Sequence, residues 1–126
     1  MTKVAWKHEP DAHDYPAAAD YLGLLASPDR VAAVVAALQA APIVTKKAKD
    51  LLRAAGLPLL AEGNPHVASD LAKVRKGQAL SPVLVVRGAM ETGVPAQIAD
   101  GYHRICASYL VDENCEIPCR IVGWDA

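Results

Sequence analysis

The sequence contains no phenylalanine, and aromatic residues make up 5% of its 126 residues. Leu, Val, Ile and Ala must therefore form the core, and an apolar content of 52% is enough for one and too high for a disordered chain. No apolar run reaches the roughly 18–20 residues that a membrane span needs. Residues 1–9 lack the apolar stretch of a signal peptide, so we expect a cytoplasmic protein without a membrane segment.

Cysteine is scarce, and the three cysteines, Cys106, Cys115 and Cys119, lie in the last quarter of the chain. An odd number of cysteines without a signal peptide argues against a disulfide framework. His103 and the three thiols are zinc-ligand types, but their spacing lacks the paired C-x₂-C knuckles of common zinc sites. We therefore expect no metal site.

The net charge is −1, which excludes a global attraction to nucleic acid. The charge is unevenly distributed, because residues 45–77 carry seven Lys and Arg against three Asp and Glu, a net +4. The flanks carry three against five before this segment and three against six after it. The basic segment can be a solvated helix face, a patch near a phosphate ligand, or a nucleic-acid footprint.

Capping residues predict four helices in the first part of the chain. Pro16 is the expected first position of a helix over 17–26. Ser27 with Pro28 begins a second helix that Pro42 ends. Thr45 is the expected cap of a third helix over 46–55. Asn64 followed by proline begins a fourth helix, which a glycine at position 77 ends.

The second half of the chain changes from helical patterns to strand patterns. The continuous β-branched run over 80–86 predicts a strand covered on both faces. A loop over 87–94, a strand over 95–99, a helix from 102 to 112 or 113 and a strand over 117–122 complete a β-β-α-β order. The expected fold class is α+β, with a helical N-terminal half packed on a small mixed β-sheet. We expect a single domain over 1–126, with 14–60 as helical cover and 64–123 as core.

The sequence Ala99-Asp100-Gly101-Tyr102-His103-Arg104 joins the second strand of this half to its helix. The free N–H groups of a helix start favour anions, and histidine and arginine in the first turn add positive charge. Arginine also binds phosphate bidentately. The pattern predicts a phosphate or nucleotide site. The structural alternatives are a salt bridge of Arg104 with Asp100 or Asp112, packing of His103, and capping by Asp100.

The turn Asp100-Gly101-Tyr102-His103-Arg104 resembles the ParB/sulfiredoxin-like superfamily. The preceding helix, Gly77 and the strand Leu80-Ser81-Pro82-Val83-Leu84-Val85 are similar to the same family, and the resemblance covers about residues 64–123. It implies a nucleotide or phosphate site in which Gly101, His103 and Arg104 contact phosphate groups and Asp100 braces the turn. It also implies ATP or another nucleotide with Mg²⁺ as cofactor.

The chain departs from individual members of that superfamily. Sulfiredoxin has its catalytic cysteine directly before the His-Arg pair, where this chain has Tyr102, so sulfiredoxin activity is not expected. ParB proteins have a second basic residue where this chain has Ile105, so DNA partitioning is not expected either. The related free-serine kinase needs a carboxylate base, for which Glu62 and Glu91 are candidates.

The leading expectation is a nucleotide- or phosphate-binding domain, and His66 is a further residue that can approach the same ligand. If the ligand is turned over, we expect phosphoryl transfer or nucleotide hydrolysis, because the motif offers charge and positioning without an evident nucleophile. One alternative is a non-catalytic interaction or regulatory module that binds a protein partner through residues 14–60. Another is nucleic-acid binding or cleavage by the basic segment.

Overall fold

The computed structural model describes residues 3–125, so the start of the segment 1–9 and the last residue of the expected domain lie outside the described part. Within 3–125 the chain forms five α-helices and four strands, which confirms the α+β class. In chain order they are α1 (Asp14–Leu22), α2 (Pro28–Ala40), β1 (Ile43–Lys47), α3 (Ala48–Ala55), α4 (Pro65–Arg75), β2 (Val83–Val86), β3 (Gln97–Asp100), α5 (Tyr102–Val111) and β4 (Glu116–Val122).

Two of the predicted helix starts form as the capping chemistry requires. The Ser27 side chain accepts a hydrogen bond from the N–H of Arg30 at 3.4 Å at the start of α2. At the start of α4, Asn64 Oδ1 accepts from the N–H groups of His66 at 3.0 Å and Val67 at 3.2 Å. In both helices a proline occupies the first turn, where its missing N–H costs nothing.

The four strands form one mixed sheet in the order β1-β4-β2-β3. The two central strands, β2 and β4, are parallel, and each edge strand is antiparallel to its neighbour. All four residues of β2 are buried, as its β-branched run predicts for a strand covered on both faces.

The third predicted helix forms over Ala48–Ala55, but its predicted start at Lys46 under a Thr45 cap is wrong. Residues Ile43–Lys47 form an edge strand that pairs with β4 from Ile43 opposite Arg120 to Lys47 opposite Glu116. The run Ile-Val-Thr is β-branched and fits a strand better than a helix, and the open edge of β4 satisfies its backbone. The segment 14–60 is therefore not purely a helical cover, because it contributes one strand to the sheet.

Helices cover both faces of the sheet. Val83 and Val85 of β2 pack into a cluster with α3, α4 and α5, whereas Leu84 and Val86 pack against α1 and α2. This division follows from the alternation of side chains along a strand. Of the described residues, none belongs to a helix with the length and apolar character that a membrane crossing requires.

Candidate functional site

Gly101 makes the turn between β3 and α5. Its φ of 114° lies in the region that side chains with a Cβ rarely adopt. A Cβ added there would also lie 2.8 Å from Cβ of Val83 in the neighbouring strand. Both the backbone conformation and the close approach to β2 therefore require glycine at this position.

The N-terminus of α5 is open. Gly101 occupies the N-cap position, and the backbone N–H groups of Tyr102, His103 and Arg104 donate to no acceptor within residues 3–125. At α3 the N–H groups of Ala48 and Lys49 donate to the carbonyls of Cys115 and Glu113. Helix α5 therefore presents unpaired donors and the positive end of its dipole at the predicted turn.

Arg104 is largely buried in an ion-pair network. Its Nη2 atom lies 3.0 Å from Oδ2 of Asp100, donates to the Pro82 carbonyl at 3.3 Å and lies 3.8 Å from Oδ2 of Asp14. Only 17% of its side chain is exposed. The salt bridge with Asp100 that the sequence offered as an alternative is formed, and Asp112 takes no part in it. That Arg104 also contacts phosphate stays a prediction.

The Asp100 side chain bonds to Arg104 and does not cap α5. Burial raises the pKa of its carboxyl group, Arg104 opposes this shift, and the nearby carboxylate of Asp14 adds to it. Because Oδ2 of Asp100 is already bonded to Arg104, a Mg²⁺ ion held by Asp100 would compete with the guanidinium. A metal at this site would have to be held mainly by the phosphate oxygens of a nucleotide.

Asp14 is a buried member of the network that sequence reasoning missed. Its carboxylate accepts hydrogen bonds from the Ser81 hydroxyl and, at 3.1 Å, from the N–H of Asp11. Asp11, His13 and Asp14 also bring possible metal-ligating atoms within 4.8 Å of one another. Because Arg104 lies close to Asp14, a cation at this group would face its positive charge.

His103 meets a second histidine from another helix. The ring centroids of His103 and His66 are 4.7 Å apart, with 44° between the ring planes. Burial lowers the pKa of His103, the charges of His66 and Arg104 lower it further, and Asp70 acts in the opposite direction. His103 is therefore held toward its neutral form, in which the ring has one N–H donor and one acceptor nitrogen.

Asp70 is the second buried carboxylate near the histidines, and the sequence contained no signal that singled it out. It lies on α4, where burial raises the pKa of its carboxyl group and the charge of Lys73 opposes the shift most. The Lys73 Nζ atom is 3.8 Å from Oδ1 of Asp70. Asp70 gives the histidine pair a nearby group that can carry a negative charge.

A cleft of about 290 Å³ runs along β3 and the following turn. Four of the five predicted site residues line it, namely Asp100, Gly101, Tyr102 and His103, whereas Arg104 does not. The Tyr102 hydroxyl donates to the Pro58 carbonyl at 2.6 Å, and burial raises the pKa of this phenol. Tyr102 is therefore a fixed wall of the cleft and not an activated nucleophile.

The other candidate groups lie outside the cleft. Glu62 pairs with Arg75 at 3.0 Å, and Glu91 lies in a short 3-10 helix, Met90–Thr92. Cys106 is buried, and its Sγ atom accepts from the N–H of Leu60 at 3.5 Å. The structure therefore adds no carboxylate base or thiol nucleophile from these three residues.

Comparison of the chain with protein-family models, curated proteins and solved structures found no match. Membership of the ParB/sulfiredoxin-like superfamily thus rests on the quoted motif residues and stays a prediction. The function has to be argued from the geometry of the turn itself.

Proposed function

We propose that this protein binds the phosphate group of a nucleotide, or of another small phosphorylated ligand, at the N-terminus of α5. The observation that carries the proposal is the set of three backbone N–H groups, from Tyr102, His103 and Arg104, that lack an acceptor within residues 3–125. Such donors at the positive end of a helix bind anions. A cytoplasmic location is part of this proposal.

The side chains divide into contacts and supports. His103 lines the cleft and donates a ring N–H to the ligand, and His66 lies close enough to assist. Arg104 adds positive charge while its bond to Asp100 holds the turn in place. A cleft of about 290 Å³ is at the lower end of the range for small-molecule sites, which favours a small ligand or the phosphate end of a larger one.

A reaction at this site would be phosphoryl transfer or nucleotide hydrolysis. The Tyr102 hydroxyl is bonded to a carbonyl and Cys106 is buried away from the cleft, so neither supplies a nucleophile. Backbone donors and positive charge instead favour positioning and charge stabilisation of a phosphoryl group. The acceptor would then be water or a hydroxyl group of a second substrate, and Mg²⁺ would arrive with the nucleotide.

The test is thermal unfolding with ATP, CTP, GTP, AMP and inorganic phosphate, each with and without Mg²⁺. A ligand at 100 times its dissociation constant stabilises the fold by about 2.7 kcal/mol, which a small domain shows as a clear rise in Tm. Amide NMR shifts then locate the ligand, and they should be largest at Tyr102, His103 and Arg104.

The matched variants are His103→Asn, which removes the imidazole from the cleft, and His8→Asn, which changes an exposed histidine elsewhere. We expect the ligand-induced rise in Tm to shrink in the first variant and to persist in the second. No rise with any of the five compounds would contradict the proposal, as would equal rises in both variants together with amide shifts away from α5.

An exposed apolar surface supports a second candidate, the interaction module. Leu24 and Leu25, in the connection between α1 and α2, are 81% and 51% exposed. They adjoin an apolar groove of about 570 Å³ between the same helices, lined by residues that include Val31 and Val35. Sedimentation of the whole chain tests self-association there, and Leu24→Ser should shift the population toward monomer if the groove binds a second copy.

The ion pairs of the basic segment 45–77 do not favour the nucleic-acid alternative. All three acids of the basic segment pair with cations of the same segment: Asp50 with Arg53, Glu62 with Arg75 and Asp70 with Lys73. A steep decrease of DNA affinity with salt would be needed to support it.

A further inference from the structure

A second cavity, of about 460 Å³, lies on the face of the sheet that α3 covers. Its walls are mostly apolar and combine α3, all four strands of the sheet and the loop after β2; they include Leu51, Ala54, Val85, Val94, Ile98 and Ile121. Ala96 and Ile98 also line the cleft beside α5, so the two spaces share one wall. The volume falls within the range of small-molecule sites.

The cavity lies at the carboxyl ends of the two parallel strands. Arg87 directly follows β2, and Ile121 is near the end of β4. In sheets with parallel strands, the crevice outside the carboxyl ends is where ligands commonly bind. The turn at Asp100 is at the other end of β2, because β3 runs antiparallel to it and places Asp100 opposite Leu84.

Two positive charges border the apolar walls. Lys46 of β1 and Arg87 line the cavity, and neither forms a salt bridge with any residue in the part of the chain that the structure describes. The cavity also contains one acid, Asp50, but its Oδ1 atom is 2.8 Å from Nη2 of Arg53. The charge that remains available to a ligand is therefore positive.

The local backbone holds this arrangement. Lys46 is opposite Ile117 in the β1–β4 ladder, and Ile117 is buried in the cluster of α3, α4 and α5, so Lys46 lies on that face of the sheet. At Gly88 an added Cβ would lie 2.7 Å from the backbone nitrogen of Ala96, so the loop lies close against the start of β3. Met90 extends from this loop with 94% of its surface exposed and can fold onto a bound apolar group.

We propose that this cavity binds a small organic anion with an apolar body, of the class of a medium-chain carboxylate. The carboxylate pairs with Lys46 and Arg87, and the apolar body packs against Val85, Ile98 and Ile121. An anionic head alone would leave the apolar walls unused, and a neutral apolar ligand would leave two cations unpaired. The inference does not rest on the phosphate site, because its charged residues, Lys46 and Arg87, lie outside that cleft and at the other end of β2.

The experiment is an NMR titration of the isotope-labelled whole chain with octanoate, octanol and octylammonium. These probes share an apolar body and differ in the charge of the head group. We expect octanoate to bind most tightly, octylammonium most weakly, and the shifted amides to cluster at residues 46–54, 87–98 and 121. Equal affinity for octanoate and octylammonium would overturn the proposal, and so would octanoate shifts confined to the first turn of α5.

Three variants complete the test. Lys46→Gln and Arg87→Gln should each weaken octanoate binding by about two- to fivefold, which is the change in affinity expected from losing one exposed ion pair. Neither variant should change the affinity for octanol. Lys47→Gln is the matched control, because the neighbouring lysine projects from the opposite face of the same strand. Ala54→Trp fills the cavity from an exposed position of α3 and should abolish octanoate binding. Undiminished binding to this variant would place the probe elsewhere and refute the inference.

Discussion

Nη2 of Arg104 lies 3.0 Å from Oδ2 of Asp100, at the end of β3, and 3.8 Å from Oδ2 of Asp14 on α1. The guanidinium thus ties the start of α5 to β3 and to the opposite layer of the fold. An arginine that the motif marks for phosphate binding is also a structural cation. Its removal will therefore change stability as well as any affinity for phosphate.

We expect Arg104→Ala to lower the free energy of unfolding by about 3 kcal/mol, because it leaves the buried carboxylate of Asp14 and the mostly buried one of Asp100 without their cation. Asp100→Asn combined with Arg104→Gln should cost less than the sum of the single changes, since each partner is unfavourable without the other. Urea denaturation of the unmodified chain, Asp100→Asn, Arg104→Gln and the double variant measures this coupling. Arg53→Ala, which breaks an exposed pair with Asp50, is the control and should cost less than about 1 kcal/mol. Equal losses in Arg104→Ala and Arg53→Ala would show that the buried network is not stabilising.

The lowered pKa of His103 predicts how stability depends on pH. Since burial and neighbouring positive charge hold its pKa below the ordinary value of 6.5, the unfolded chain binds a proton more readily than the folded one. The contribution of His103 is therefore fully favourable above pH 6.5 and is lost as pH falls from there through the lowered pKa. Urea unfolding at about pH 7.5 and about pH 5.5 measures the loss.

The same pH series in His103→Asn should show a smaller loss, and His8→Asn should match the unmodified chain. The carboxyl group of Asp70 also titrates differently in the folded and the unfolded chain. Burial raises the pKa of that carboxyl group, so its effect has the opposite sign and grows as pH rises through the acid range. A loss of stability between the two pH values that is unchanged in His103→Asn would mean that another group titrates.

Gly101→Ala should destabilise the fold more than Gly56→Ala. Both glycines have positive φ, which costs a residue with a Cβ about 1–3 kcal/mol, but only at Gly101 does the added atom meet Val83. At Gly56 nothing lies within 4 Å of the added atom. Thermal unfolding compares the two variants, and Val83→Ala should cost less in the Gly101→Ala background than in the unmodified chain, because it removes the Cγ1 atom that the added Cβ meets. Equal costs at the two glycines would show that β2 and the turn can move apart freely.

The three thiols should react at very different rates. Burial raises the pKa of Cys119 to about 12, and its Sγ–H donates to the Ile117 carbonyl at 3.1 Å. Cys106 is also buried, whereas Cys115 is partly exposed. Because the thiolate is the reacting form, an aromatic disulfide reagent should modify Cys115 first and reach the other two only on unfolding. Peptide mapping of the labelled chain checks this, and early labelling of Cys119 would contradict the core placement.

Local sequence signals predicted the elements that depend on local chemistry. Ser27 and Asn64 cap their helices as predicted, and the buried strand β2 lies within the β-branched run. The strand β1 was missed because Lys-rich sequence after Thr45 also fits a helix start. Only the unpaired edge of β4, which is far away in the chain, decides between the two.

By itself the sequence determined the α+β class and the turn at Gly101, because capping, β-branched runs and turn residues are local signals. It offered Asp100 and Asp112 as alternative salt-bridge partners of Arg104, and the structure selects Asp100. The tertiary structure decided which distant groups meet there. It places Asp14 beside Arg104 and His66 beside His103, contacts that require helices from different parts of the chain to pack together. Such contacts depend on how whole apolar faces are buried, and periodicity along one segment carries no information about which face it will meet.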